Sequence, residues 1–91
     1  MSRMSGPKAE ATWNPGSIAD GNEEVTTVTV PGAVLGDFAF VSFSLDVSDL
    51  NLDAHVTAAN TVTVSLQNNT GGAIDLGSGT VRVKVVHYND M

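Results

Sequence analysis

Cysteine is absent from the chain, which excludes disulfides and thiolate-held zinc together. Basic residues are scarce: four Lys and Arg stand against ten Asp and Glu, for a net charge of −6. That balance opposes nucleic-acid binding, whose affinity comes chiefly from cations that neutralise phosphates. The five aromatic residues, one Trp, one Tyr and three Phe, are few for a platform on which bases stack. No apolar run approaches the ~20 residues of a membrane span, and Met1–Ala11 (MSRMSGPKAEA) carries no apolar stretch of the secretory type. These absences predict a protein made in a cytoplasm, or used on something assembled there, with neither nucleic acid nor membrane as partner. Helical periodicity is missing as well, so an all-β fold is the expectation.

What is present is one small domain of 91 residues. At this size a fold buries only about 60–65% of the surface its unfolded chain exposes. Small folds compensate with disulfides, a metal or oligomerisation. Without cysteine, oligomerisation comes first and a carboxylate-held cation second.

Residues 1–24 lack periodicity and are rich in Ser, Gly, Pro, Ala and charge, which predicts an extended N-terminal arm ahead of a β-domain over residues 25–91. Trp13 is the exception within it. Two readings are open: a ring tucked on the body, or an anchor inserted into a neighbouring subunit, a role in which tryptophan is over-represented.

From Glu24 onward β-branched residues dominate. Val25–Val30 (VTTVTV) reads as a strand ended by the Pro31-Gly32 turn. Thr61–Asn68 (TVTVSLQN) alternates most clearly, with Val62, Val64 and Leu66 inward, and pairs as a hairpin with a short strand over Ala54–Thr57. Thr80–Tyr88 turns Val81, Val83 and Val85 inward and Arg82, Lys84 and Val86 outward. Turns at intervals of roughly ten residues predict a small antiparallel β-sandwich or jelly-roll-like barrel of five to seven short strands.

One strand departs from the pattern. In Gly36–Leu45 (GDFAFVSFSL), Phe38 and Phe40 share one face while Ala39, Val41, Phe43 and Leu45 share the other. A strand apolar on both faces needs cover on both. The domain core supplies one cover; a terminus, a second sheet or another subunit must supply the other. With Trp13 from the arm, Phe38, Phe40, Val41, Phe43 and Leu45 are the candidate subunit-interface residues.

Catalytic chemistry has little to stand on. His55 and His87 sit in strand patterns with no nucleophile or oxyanion motif. The acidic loop Asp46–Asp53 has oxygen ligands but not the EF-hand spacing, so a solvated loop is expected. Gly36, Gly71-Gly72 and Gly77-Ser78-Gly79 precede no helix and are turn glycines, not phosphate cradles. No cofactor, metal or catalytic residue is expected. Threonine and serine crowd the outward positions, and such weakly charged faces suit close packing between copies or on a lattice.

The runs WNPGSIADG (13–21), TVTVPGAVLGDF (27–38), VTAANTVTVSLQNNTGGAID (56–75) and SGTVRVKV (78–85) resemble a small β-sandwich module of tailed-bacteriophage virion proteins. The resemblance rests on strand and turn residues over about four-fifths of the chain and brings no catalytic residues. It implies a virion protein on the outer capsid surface, a capsid decoration (cement) protein or a fibre-like tail protein, tending to form homotrimers. With the module and little else, the decoration role is the leading expectation, with the major capsid protein as partner. The alternative is a receptor- or glycan-binding module of a tail fibre, using Tyr88, Asn89 and Asp90 or the amides of Gln67, Asn68 and Asn69.

Overall fold

The computed structural model describes residues 6–90. It is all-β. Eight strands follow one another: β1 Lys8–Trp13, β2 Ser17–Ile18, β3 Glu23–Thr29, β4 Phe38–Phe43, β5 Asn51–Ala58, β6 Thr61–Gln67, β7 Ile74–Asp75 and β8 Gly79–Val86, before a short 3₁₀ turn at Tyr88–Asp90. Six are full strands and two, β2 and β7, are two-residue bridges.

Two three-stranded antiparallel sheets form the layers, ordered β1-β8-β4 and β3-β6-β5, with the β2-β7 ribbon beside them. The most hydrophobic strands take the central places. β6 and β8 alternate valine or leucine with polar residues, and Val62, Val64, Leu66, Val81 and Val85 are fully buried. Their inward residues meet Val28, Val30, Ala33 and Val56 in one core shared by both sheets. A second cluster of Ile18, Leu50 and Leu66 lies under the β2-β7 ribbon.

Tight turns set the register. The β5–β6 hairpin turns at Ala59-Asn60, with Asn60 in the left-handed region at φ 63°. Asn60 is also a clamp, because its Oδ1 accepts the Gly32 N–H at 2.8 Å and its carbonyl accepts the Val30 N–H at 2.8 Å. At Gly79 a Cβ would lie 2.8 Å from the Phe43 ring and 2.9 Å from Ser44 Oγ. Glycine lets β8 and the end of β4 approach that closely.

The N-terminal segment departs from expectation. Residues 8–13 are extended, but as the edge strand β1, laddered to β8 from Lys8↔Lys84 to Trp13↔Gly79. The expected boundary after residue 24 falls inside β3. Lys8, Glu10 and Thr12 alternate with Ala9, Ala11 and Trp13, a period-two pattern whose inward residues are mostly alanine. Alanine carries little hydrophobic signal, so the strand reads as an arm. Residues 1–5 of the expected arm lie outside the described residues.

Candidate functional site

The doubly apolar strand keeps its two faces. Ala39, Val41 and Phe43 pack against the core. Phe38 and Phe40 project from the outer face of the β1-β8-β4 sheet and remain 41% and 45% exposed. The fold therefore covers one face of β4 and leaves the other open.

Register defines what surrounds these rings. Phe40 pairs with Lys84, which pairs on its other side with Lys8. The next rank holds Ser42, Arg82 and Glu10. The three Lys and Arg among the described residues thus stand together on one sheet face of an acidic chain. Arg82 and Glu10 approach only to 3.8 Å with both side chains mostly exposed, a pair of little energetic weight. Lys84 reaches the Gly6 carbonyl at 3.3 Å, and no ion pair involves it or Lys8 among the described residues. Like charges directly opposite on neighbouring strands cost stability. A hollow of about 550 Å³ opens between these side chains, lined by Lys8, Glu10, Phe40, Ser42, Arg82 and Lys84 among others.

Apolar surface continues past the end of the strand. Phe38 stacks on Tyr88 with ring centroids 6.3 Å apart, and Tyr88 is 69% exposed. Val34 and Leu35, both exposed, border the same end beside a hollow of about 360 Å³. This end is held by Asp37, whose Oδ2 sits 2.7 Å from His87 Nδ1 and accepts the Val34 N–H at 3.0 Å, while Oδ1 accepts the Tyr88 N–H at 3.3 Å. Burial pushes the Asp37 carboxyl up, but the His87 hydrogen bond and the Val34 and Tyr88 N–H groups outweigh it and hold the pKa below its ordinary value.

The six sequence-predicted contact residues divide. Phe38, Phe40 and Leu45 are exposed. Trp13, Val41 and Phe43 instead line the core, Trp13 meeting Phe43 edge to face at 6.0 Å and touching both core clusters. Inward parity on a laddered strand makes Trp13 a core ring, in line with the tucked reading and not with the anchor. Charge was the signal that the hydrophobic pattern omitted: the Lys8–Lys84 pairing arises from chain ends 76 positions apart and follows only from the β1–β8 register.

Other candidates stay apart. His55 is exposed on β5, in the opposite sheet from β8 and His87. Asp46 and Asp53 each engage a nearby backbone N–H, of Ser48 and Ala54. Among the described residues no group of three His, Asp or Glu is placed to hold a metal ion. Of the three amides at 67–69, Gln67 and Asn69 are exposed while Asn68 is fully buried. Its Nδ2 donates to the Ile18 and Gly72 carbonyls at 2.7 and 2.8 Å, and its Oδ1 accepts from Thr70 N–H and O–H. Asn68 is a structural tie between the 18–22 and 68–72 segments, a use of amide chemistry that strand patterning does not reveal.

No family model, curated protein or solved structure matches the chain.

Proposed function

We propose that this chain is a capsid decoration (cement) protein of a tailed bacteriophage, made in the host cytoplasm and carried on the outer capsid surface. There it stabilises contacts between major capsid subunits. The observation that carries the reading is Phe38 and Phe40, two large apolar side chains exposed on a sheet whose inner face already has its core. Apolar surface of this kind, continued by Tyr88, Leu35 and Val34, marks a contact surface more often than a solvent face. The strand and turn resemblance to tailed-phage virion modules supplies the setting.

The two outer faces suit two contacts. The aromatic face of β1-β8-β4 meets a neighbouring copy in a homo-oligomer, with a trimer as the family precedent. Across the sandwich, Thr27, Thr29, Thr57, Thr61 and Thr63 point outward from β3, β5 and β6. That weakly charged surface lies against the capsid lattice. A partner that engages only the folded protein stabilises it, and itself, by mass action. Particles carrying the protein are expected to disrupt at a higher temperature than particles lacking it, and equal temperatures would contradict the clamp.

The second reading is a receptor- or glycan-binding fibre module, favoured by Tyr88, which is 69% exposed beside Asn89 and the hollow at the 34–37 turn. Sugar rings pack on such exposed aromatics. A glycan array with no signal at high protein concentration removes this reading.

A further inference from the structure

We infer that the outer face of β1-β8-β4 is a socket for an acidic apolar loop, and that its occupant is the Ser44–Asp49 loop of a second copy of this chain. The inference deepens the proposed assembly and rests on it for the claim that copies associate, but not for any contact with a capsid.

The socket side is defined by charge and shape. Lys8 and Lys84 face each other across the β1–β8 ladder with no carboxylate in their rank, and Phe40 flanks them. A chain with ten acidic residues could pair either lysine with glutamate at that rank and does not. An anionic group seated between the two ammonium groups relieves their repulsion. Phe40 and Phe38 alongside require that the occupant also bring apolar side chains. A polyphosphate strand fits poorly, because Glu10 lines the same hollow and a net charge of −6 repels a polyanion.

The complementary group is on the chain itself. The loop after β4 places Leu45, 38% exposed, next to Asp46, with Asp49 three residues further on, and both aspartates are exposed. It is already shaped: Asp46 Oδ1 accepts the Ser48 N–H at 2.8 Å, and Ser48 holds a left-handed φ of 58°. Ser44 is tied to Thr80 by two bonds, Ser44 N–H to the Thr80 carbonyl at 2.9 Å and Thr80 N–H to Ser44 Oγ at 2.8 Å. A preformed loop loses little conformational freedom on docking. Socket and loop occupy different parts of the subunit, so the contact is head-to-tail. Such contacts close into rings when the rotation per subunit allows it.

The test is a charge swap read by sedimentation and light scattering. Wild type is expected to associate reversibly into multiples of its 9.4 kDa mass. Reversing the socket (Lys8→Glu with Lys84→Glu) or the loop (Asp46→Lys with Asp49→Lys) should each weaken association by about a hundredfold. Combining all four substitutions keeps the net charge at −6 and should restore association. Far-ultraviolet circular dichroism confirms folding, and Lys8→Glu alone, at an exposed edge-strand position, serves if a double variant does not fold. Oligomers of unchanged mass in both reversed variants would overturn the socket while leaving assembly standing. A monomeric wild type whose particle binding falls on socket reversal would overturn it in favour of an acidic partner from the particle. Failure of the fourfold variant to reassociate would overturn the loop as occupant.

Discussion

The two outer faces of the sandwich share one backbone architecture and differ in their side chains. The β3-β6-β5 face is mostly hydroxyls, with Val25 and His55 exposed among them: Thr27 lies opposite Thr63 and Thr29 opposite Thr61, and Thr57 and Thr63 share a hydrogen bond at 2.8 Å. Glu23 and Asp53 add charge only at its margin. The β1-β8-β4 face gathers the described cations and three of the five aromatic rings, Phe38, Phe40 and Tyr88. Short hydroxyls paired with one another need little from outside, whereas opposed lysines beside half-exposed phenyl rings leave both charge and apolar area unmatched. One face is self-sufficient and broad, the other incomplete and specific. That difference is why the proposed assembly puts its specific contact on the aromatic face.

The largest expected effect breaks the comparison at the threonine face. Thr27→Glu with Thr63→Glu sets two carboxylates directly opposite each other at the centre of the surface assigned to the lattice. Binding to particles should fall by about a thousandfold, since carboxylates buried without partners at a contact cost several kcal/mol, while self-association stays as in wild type. A quantitative particle pull-down beside light scattering reads both. Equal losses of the two would mean that the faces do not divide the work.

Next in size is Trp13→Ala, which separates core from contact on β1. Because the ring packs on Phe43 and both core clusters, the subunit should lose about 3 kcal/mol of stability by urea unfolding. An interface anchor would instead leave the monomer's unfolding midpoint unchanged. Gly79→Ala follows, with a loss of about 2 kcal/mol, because the new Cβ would crowd Phe43 and Ser44. That substitution disturbs the base of the Ser44–Asp49 loop without touching its charges.

The smallest effect concerns the Asp37 tie at the end of the aromatic face. Its pKa is held below the ordinary carboxylate value in the folded state, so the unfolded chain binds more protons in the acid range and stability rises with pH there. The contribution is complete above about pH 4 and is lost as pH falls further, through the lowered folded-state value. Asp37→Asn should flatten that acid limb in thermal melts recorded across the pH range, with the remainder of the profile parallel to wild type.

Much of this architecture is legible in the residues. The inward Val62 and Val64 of β6 and Val81, Val83 and Val85 of β8, the Pro31-Gly32 turn, the tight turn at Ala58–Asn60 and the two-faced β4 follow from alternation and turn chemistry, whereas Val86, outward by alternation, is buried at the end of β8. β1 is not legible, since its inward residues are two alanines and one tryptophan, and alanine carries little hydrophobic signal. The assignment of Val41 and Phe43 to the core and of Phe38 and Phe40 to the outside needs the sheet, because parity separates the two sets without saying which faces inward. The Lys8–Lys84 opposition is a long-range consequence of register and has no local signature.

The central claim is that the Phe38–Phe40 face is covered by protein in the working state. Sedimentation velocity of wild type and of Phe38→Ser with Phe40→Ser, over a range of concentrations, tests it most directly. Both side chains are exposed in the single subunit, so the double variant should unfold close to wild type, remain at 9.4 kDa and fail to associate, while wild type assembles as its concentration rises. Identical sedimentation of the two proteins, at every concentration, would contradict the account.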